Sequence, residues 1–380
     1  MTSPIYLDYN ATTPVAPEVA AAMRPWIEEQ FGNPSSSHIY GQRARQAVAQ
    51  ARQSLAALIG AQAEEIVFTG SATEANNLAL LGVARAMPAG RRHLIASAVE
   101  HPAVMQPALH LRDEGWDLTV LPVDAFGRIA LDDLRAALRP DTALVSVMHA
   151  SNEVGTIQPV AEVAALARAN GTLVHTDAAQ SAGKVELDVA ALGVDLLTLA
   201  GHKFHAPKGI GALYVRRGTS IKPIFFGADQ EHGLRPGTEN VAQIVGLGEA
   251  ARLARSRLPQ ATRQLAALRD ELHRRLADAV PGLILNGHPQ QRLPNTLHLS
   301  FPGVSGRDLL AAVSEVAASV GSACHSDADA DAVSGVLAAM GCNAARARGA
   351  VRLSVGFPTT AADIESAAAS LVRAWRAMNP

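Results

Sequence analysis

The amino-acid sequence predicts an α/β protein built on a layered sheet. From about residue 60 to 215, short apolar runs rich in β-forming residues alternate with longer helical segments, a pattern typical of a sheet covered by helices. Predicted strands occupy 66–68, 93–97, 118–121, 143–148, 173–175, 196–199 and 210–215. Polar residues directly follow several of these strands, at the carboxyl edge where open α/β sheets bind their ligands.

A second, smaller α/β domain is expected after a long helical connector. The chain is rich in Ala, Leu and Arg from Val241 to about residue 279. Beyond it the pattern predicts a strand near 295–301, further helices, and a flexible loop at 321–332 that is rich in Gly, Ser, Asp and Ala. We therefore expect a large domain over 15–255 and a small domain formed by 1–14 and 256–380.

Composition narrows the classes of function. The net charge of −2 and the pI near 6.7 do not favour a basic face for nucleic acid or an anionic membrane. No apolar run approaches the ~18 residues of a membrane span, and the start lacks a secretion-signal pattern, so we expect a cytoplasmic protein. The two cysteines, Cys324 and Cys342, are too few for a disulfide framework or a Cys-only metal site, and no metal is expected.

A helix start that could bind an anion follows the first predicted strand. Ser71 and Glu74 have the spacing of a capping box. A capped helix start presents free backbone N–H groups and the positive end of its dipole, which suit a phosphate. The same pattern also describes a capped helix that binds nothing, which is the commoner case. A P-loop and a dinucleotide fingerprint are both absent, so a nucleotide is not favoured.

The chain has four lysines, and one of them follows a predicted buried strand. Lys203 lies in Gly201-His202-Lys203, directly after the strand at 196–199. An amine at that sheet edge could form a Schiff base, although a loop lysine taken alone is usually only solvated. The other three adjoin turn-forming Gly or Pro: Lys184, Lys208 and Lys222.

A carboxylate and an imidazole follow two further strands. Asp177 lies where the strand at 173–175 ends, and a buried carboxylate needs a cation such as a protonated pyridine nitrogen; a helix N-cap is the equal alternative. His101 follows the strand at 93–97 and could stack on an aromatic ring, although a lone histidine is more often structural. In this order on one sheet, an anion site, a stacking histidine, an acid and a lysine together indicate pyridoxal 5′-phosphate.

With these motifs, the sequence resembles the cysteine desulfurase family along essentially its whole length. The members of this family are enzymes that depend on pyridoxal 5′-phosphate (PLP), and they are class-V aminotransferase-like proteins of fold type I. Within that family the sequence is similar to the group that carries its cysteine on a mobile loop. The matching strings are 8–14 (DYNATTP), 32–35 (GNPS), 72–74 (ATE), 100–101 (EH), 152–153 (NE), 177–180 (DAAQ), 201–203 (GHK), 235–238 (RPGT), 321–324 (GSAC) and Arg352. The resemblance implies a large domain with a seven-stranded, mainly parallel sheet and a smaller C-terminal α/β domain.

The resemblance also implies roles around the cofactor ring. Lys203 would hold the cofactor covalently as a Schiff base, Asp177 would pair with the pyridine nitrogen, and Gln180 would reach the phenolic oxygen. His101 would stack on the ring and move protons during catalysis, and Asn152 would lie beside the cofactor and the substrate.

The phosphate group has its own implied set of ligands. These are the backbone and hydroxyl of Ala72 and Thr73, the side chain of His202, and Thr238 reaching across from the other subunit of a homodimer. Two positions depart from the commonest family pattern, because the loop reads Gly70-Ser71 where Ser-Gly is usual and Ala200 replaces a frequent serine.

For the substrate, the resemblance implies that Arg352 grips the α-carboxylate with the help of Asn33 and Asn152, and that Cys324 is the nucleophile. The expected reaction converts L-cysteine to L-alanine and leaves sulfur on Cys324 as a persulfide for an acceptor protein. The acceptor pathway stays open, whether iron–sulfur cluster assembly, tRNA thiolation or another, and Cys342 is expected only to pack.

Three alternatives remain open at this stage. The string 320–327 (VGSACHSD), taken with 235–240, is especially similar to selenocysteine lyases, which would act on L-selenocysteine. An aminotransferase of the same fold would not need Cys324, and a non-catalytic scaffold would not bind the cofactor.

Overall fold

The computed structural model describes residues 3–321 and 334–379. Its centre is a seven-stranded sheet in which one strand runs opposite to all the others. In spatial order the strands are β2 (Ile66–Thr69), β8 (Gly211–Val215), β7 (Leu196–Ala200), β6 (Leu173–Asp177), β5 (Thr142–Ser146), β3 (His93–Ser97) and β4 (Asp117–Leu121). The antiparallel strand is β8. All seven predicted strands are confirmed, as is the mainly parallel sheet.

Helices cover both faces of this sheet, which explains why most of its strands read as continuous apolar runs. Every residue of β3, β5 and β7 is buried. The edge strand β4 is only partly buried: Asp117 and Val120 are exposed, and only Leu121 is fully buried, as suits an edge strand. The helices of this part are α1 (Pro17–Glu28), α2 (Ile39–Leu58), α3 (Ala72–Ala86), α4 (Pro102–Asp113), α5 (Leu131–Ala137), α6 (Val160–Ala169) and α7 (Val189–Leu192).

The long connector is a single helix, α8 (Val241–Ala279), as predicted. Its first half packs against α1 and α2, and its second half faces the C-terminal part of the chain. That part contains the antiparallel sheet β12 (Ala350–Ser354), β10 (Thr296–Ser300), β9 (Ile284–Asn286), and the parallel pair β1 (Ile5–Tyr6) and β11 (Val316–Ala317). Its helices are α9 (Gly306–Ala311), α10 (Gly335–Ala339), α11 (Ala344–Arg348) and α12 (Ala361–Met378).

Helix α12 shows how the sequence specifies one of these elements. Thr360 caps its start in a reciprocal capping box with Asp363. Ile364, Ala367 and Leu371 then recur at helical spacing and bury one stripe against the small core.

Two main hydrophobic cores lie on either side of the predicted domain boundary. One contains residues between Val19 and Leu253, and the other joins Leu7 to residues between Leu265 and Leu371. The N-terminal strand thus belongs to the C-terminal core, as the predicted small domain requires. The two-domain division remains a prediction, which this separation of cores supports.

The topology places several strand ends at one edge. Because β2, β3, β5, β6 and β7 run in the same direction, their carboxyl ends meet on the same side of the sheet. Ser97, Ser146, Asp177 and Ala200 end four of these strands, and β8 begins at the same edge with Gly211.

Candidate active site

A cavity of about 230 Å³ opens at this carboxyl edge, and most of the predicted site residues line it. They are Ala72, Thr73, His101, Asn152, Asp177, Gln180, His202, Lys203 and Arg352. These residues come from α3, from loops after four sheet strands, and from β12 of the C-terminal part. The cavity therefore lies where the two cores meet.

The start of α3 forms one end of the cavity. The side-chain oxygen of Ser71 accepts a hydrogen bond from Glu74 N at 3.1 Å, which is one half of the predicted capping box. The Glu74 carboxylate bonds Gly70 N at 2.9 Å instead of the cap backbone. The first intrahelical bond of this turn runs from Ala75 N to Ser71 O, so the helix does not use the N–H groups of Ala72 and Thr73.

Close packing behind this helix start requires a glycine. A Cβ on Gly211 would lie 2.8 Å from Ala72 N and 2.6 Å from the carbonyl carbon of Ser71. Only glycine lets the first residue of β8 approach so closely. The first turn of α3 is thereby held against the sheet edge, where Ala72 and Thr73 line the cavity, and a helix start in this position suits a phosphate.

Asp177 is a buried carboxylate that lines the cavity. One oxygen accepts a hydrogen bond from Asn76 Nδ2 at 2.7 Å and the other accepts one from Ala179 N at 2.9 Å. Beneath it, His175 bridges Ser146 and a threonine of β7, and burial lowers the pKa of His175 to about 4. Since His175 is neutral near pH 7, the charge of Asp177 faces the cavity without an imidazolium behind it.

Two lysines lie close together beside Asn10, but only one faces this cavity. Lys203 ends a 3₁₀ turn after β7, and its Nζ lies 2.6 Å from Asn10 O and 2.8 Å from Ala11 O. Lys184 is buried and lines a neighbouring cavity of about 480 Å³. The sequence argument set Lys184 aside because it adjoins a glycine. In the structure, the physical distinction is that Lys203 lines both cavities, whereas Lys184 lines only the neighbouring one.

The imidazole of His101 both caps α4 and lines the cavity. Its Nδ1 accepts a hydrogen bond from Ala103 N at 3.0 Å, so in this contact Nδ1 carries no proton. His101 can therefore cap the helix, which is a structural role, and still contact a ligand in the cavity, which is a functional one. The preceding Glu100 is buried, and burial raises the pKa of its carboxyl to about 8.

His202 lies at the phosphate end with Thr12. Its Nδ1 is 3.2 Å from Thr12 Oγ1. Burial and the charges of Lys203, Lys208 and Lys184 lower the pKa of His202 to about 4. It is a neutral imidazole near pH 7, which can offer one N–H to an anion.

Arg352 is fully enclosed, with 1% of its side chain exposed, although it lies in a strand. Its guanidinium donates to Asp8 Oδ1 at 2.7 Å, to Ser319 Oγ at 3.0 Å and to Asn152 O at 3.1 Å. Such a buried charge requires a carboxylate partner, and Asp8 provides it. These contacts hold the guanidinium plane at the cavity wall.

Asn10 is hydrogen-bonded to residues from several parts of this site, although the sequence analysis gave it no role. Its backbone oxygen accepts from Lys203 Nζ at 2.6 Å and from Gln180 Nε2 at 2.9 Å. Its side chain bonds Thr296, Asn295 and Lys184. The sequence analysis also gave no role to Asp8, Asn76 or Lys184. The match of the string 8–14 to the family pattern was the one sequence feature that pointed to Asp8 and Asn10.

Two predicted site residues, Asn33 and Thr238, lie outside this cavity, and a third is not among the described residues. Asn33 is exposed before α2, and its side chain accepts from Ser35 N at 2.9 Å. Thr238 is exposed on the loop before α8, outside the cavity of its own chain. Cys324 lies outside the described residues. Cys342 packs at the edge of a small cluster that contains Met340.

The donors fit pyridoxal 5′-phosphate, the cofactor that the sequence resemblance implies. A helix start with unused N–H groups and a neutral imidazole suit its phosphate, and a buried carboxylate suits its pyridine nitrogen. Lys203 supplies the amine. Across residues 3–321 and 334–379, no group of three His, Cys, Asp or Glu side chains could hold a metal ion. Over the same residues, no helix has the length and apolar character needed to cross a membrane.

Comparison with known proteins agrees with this geometry. The family model "Aminotransferase class-V" matches residues 5–366. Cysteine desulfurase IscS of Dictyoglomus turgidum is 44% identical over 362 residues, which cover 95% of this chain and 91% of the relative. A solved NifS-like protein superposes with a TM-score of 0.91 at 35% identity and covers 99% of both chains. The structure of SspA in complex with cysteine has a TM-score of 0.81 at 37% identity, covering 92% of this chain and 98% of SspA. The chain belongs to the cysteine desulfurase family of class-V aminotransferases.

Proposed function

We propose that this protein is a cysteine desulfurase that converts L-cysteine to L-alanine and transfers the sulfur to Cys324 as a persulfide. The observation that carries the proposal is the meeting of Lys203, Asp177 and Arg352 in one cavity. An amine for the cofactor, a carboxylate for its ring and a guanidinium for an amino-acid carboxylate are the three groups that such a reaction requires. The similarity to cysteine desulfurase IscS and to SspA, which was solved in complex with cysteine, supports the choice of substrate.

Arg352 would bind the α-carboxylate of the substrate. Asp8, Ser319 and Asn152 fix the plane of its guanidinium, and a fixed planar donor suits a carboxylate. We propose that Asn152 orients the substrate beside it, and that Asn33 helps from the exposed loop before α2.

Bound pyridoxal 5′-phosphate supplies an electron sink for the α-carbon. Asp177 would keep the ring nitrogen protonated, and Gln180 would donate to the phenolic oxygen. Lys203 would hold the cofactor and then, once freed, take the α-proton of the substrate. His101 would stack on the ring and accept the thiol proton.

Sulfur transfer would form a sulfur–sulfur bond while a carbon–sulfur bond breaks. The Sγ thiolate of Cys324 attacks the sulfur of L-cysteine, the carbon–sulfur bond breaks, and that electron pair stays with the carbon, which takes up a proton to give L-alanine. The enzyme keeps one added sulfur as a persulfide, and an acceptor protein with a thiol would then remove it.

Further proposals concern the assembly and its surroundings. We propose a homodimer in which the phosphate site of one subunit is formed by its own Ala72, Thr73 and His202. Thr238 would reach across from the other subunit to complete that site. The exposed position of Thr238, outside its own cavity, supports this. Analytical ultracentrifugation tests the dimer, and cell fractionation tests the predicted cytoplasmic location.

The experiment that tests the function measures alanine and sulfide release from L-cysteine by the purified protein. Cys324→Ala should lose sulfur release while it retains the bound cofactor. Cys342→Ala is the matched control, and its activity should equal that of the wild type. If Cys324→Ala releases sulfide at the wild-type rate, and no radiolabelled sulfur is trapped on the wild-type chain, the proposal is wrong.

The second candidate, a selenocysteine lyase, rests on the string 320–327 and its likeness to those enzymes. Selenium leaves carbon more readily than sulfur does, so its release would depend less on Cys324. Activity of Cys324→Ala toward L-selenocysteine, with none toward L-cysteine, would favour this alternative. Equal dependence of both substrates on Cys324 would exclude it.

A further inference from the structure

Lys184 is a buried lysine for which the proposed reaction has no use. Its side chain lies behind the wall of the cofactor cavity, beside Gln180 and Asn10. Burial, together with the positive charges of Lys203 and Arg352, holds the pKa of Lys184 well below its usual value. A buried lysine destabilises the folded state unless hydrogen bonds offset the loss of its contacts with water. The hydrogen bonds of Lys184 therefore determine what it can do in the fold.

The partners of Lys184 are the side-chain oxygens of two amides. Nζ donates to Gln180 Oε1 at 2.9 Å and to Asn10 Oδ1 at 3.3 Å. The other end of the same Gln180 amide, Nε2, donates to the backbone oxygen of Asn10 at 2.9 Å. An inverted amide would turn its NH₂ group toward the donor Lys184 and its oxygen toward a carbonyl oxygen. The two oxygens would then repel each other, and the hydrogen bond that Lys184 donates would be lost, so the surroundings favour one orientation.

We propose that Lys184 is a positioning residue that locks the Gln180 amide with its nitrogen toward the cofactor cavity. An amide nitrogen carries two hydrogens. One of them binds Asn10 O, and the second is then available to a ligand in the cavity that Gln180 lines. This inference rests on the proposed function, in which Gln180 donates to the phenolic oxygen of the cofactor.

The orientation has a chemical consequence at that oxygen. A hydrogen-bond donor stabilises the deprotonated oxygen and makes it a weaker base. The proton that the bound cofactor shares with the nitrogen of Lys203 is then released at lower pH. Without a locked donor the oxygen is more basic and holds the proton to higher pH. The visible absorbance of the bound cofactor reports this proton, so its pH midpoint measures the orientation of Gln180.

The test compares the absorbance titration of the wild-type holoenzyme with that of Lys184→Met. Methionine has a similar length and no donor. We expect the midpoint to rise by about one pH unit, the effect of losing one hydrogen bond to a charged oxygen. Lys222→Met, which removes an exposed lysine, is the matched control and should leave the midpoint unchanged. Lys184→Leu is the second variant in case the methionine variant does not fold, as judged by circular dichroism.

A double-mutant cycle with Gln180→Leu separates positioning from a direct charge effect. If Lys184 acts through Gln180, then Lys184→Met produces no additional shift when Gln180 is already leucine. A shift that persists in full in that background overturns the inference, and so does a folded, cofactor-loaded Lys184→Met with the wild-type midpoint. A wild-type protein that binds no cofactor, or forms no alanine from cysteine, overturns the proposed function instead.

Discussion

Replacing Glu100 by glutamine tests the charge state of the carboxyl that precedes His101. Glu100 Oε1 accepts hydrogen bonds from Ser97 Oγ at 2.5 Å and from Met148 N at 2.8 Å. Its Oε2 is buried, without a hydrogen-bond partner among the residues that the structure describes. Burial raises the pKa of this carboxyl to about 8, the charge of Asp177 adds to the rise, and the two hydrogen bonds oppose it. Near pH 7 Glu100 is therefore protonated and neutral.

The pKa of Glu100 differs between the unfolded and the folded chain, and this difference makes the free energy of unfolding depend on pH. In the unfolded chain Glu100 loses its proton near pH 4.5, and in the folded protein near pH 8. Between these values the folded state binds more protons, so the free energy of unfolding falls as pH rises. From pH 5 to 7.5 the loss attributable to Glu100 is about 3 kcal/mol, at ~1.36 kcal/mol per pH unit.

Glutamine mimics the neutral carboxyl and keeps the acceptor for both hydrogen bonds. We expect the stability of Glu100→Gln relative to the wild type to be about 3 kcal/mol greater at pH 7.5 than at pH 5. Urea unfolding at saturating cofactor, followed by circular dichroism, measures this difference. Glu64→Gln, a change at an exposed glutamate, is the control and should show no such dependence. Parallel pH profiles for the wild type and Glu100→Gln would mean that the carboxyl is ionised in the folded protein.

Three further predictions concern the cavity. Asp177→Asn should keep the cofactor but lose alanine formation by roughly 10²–10⁴-fold, since breaking a buried charge pair costs about 3–5 kcal/mol; near-normal turnover would remove Asp177 from the site, and Asp195→Asn, at the residue directly before β7, is the control for loss of a partly buried carboxylate. Lys203→Ala should abolish the visible absorbance of covalently bound cofactor, and a retained chromophore that borohydride reduces would place the covalent bond at another lysine. Arg352→Lys should raise KM for L-cysteine by about tenfold or more, because an ammonium cannot keep the three contacts of the guanidinium; an unchanged KM in steady-state kinetics would assign the carboxylate to another residue.

The sequence predicted the central sheet well because its strands are buried on both faces. Runs such as 66–68 are continuously apolar and are followed by polar residues or glycine, which leaves little ambiguity between strand and loop. The strands of the small domain were harder to predict. Strands β1, β9 and β11 have only two or three residues, and β12 contains an arginine at its centre. That arginine is buried only because Asp8 reaches it from the other end of the chain.

Part of the candidate site could be predicted because it depends on the same sheet. Residues that directly follow parallel strands, such as His101, Asp177 and Lys203, must gather at one edge once the sheet forms. Thr238 and Asn33 were named by resemblance alone, and they lie on exposed loops outside the cavity of their own chain. A local pattern cannot tell whether such residues complete a site on another subunit.

Asn10 shows what local patterns cannot reveal at all. It accepts from Lys203, 193 positions away, and bonds Asn295 and Thr296, which are 285 and 286 positions away. Each of these polar groups would destabilise the protein if it were buried alone, and each is satisfied only when both cores have formed around the N-terminal segment. The amine proposed to hold the cofactor is therefore positioned by contacts that join the first residues of the chain to the last third of it. For this reason we expect folding of the small core and positioning of Lys203 to be coupled, and a substitution at Asn10 to disturb both.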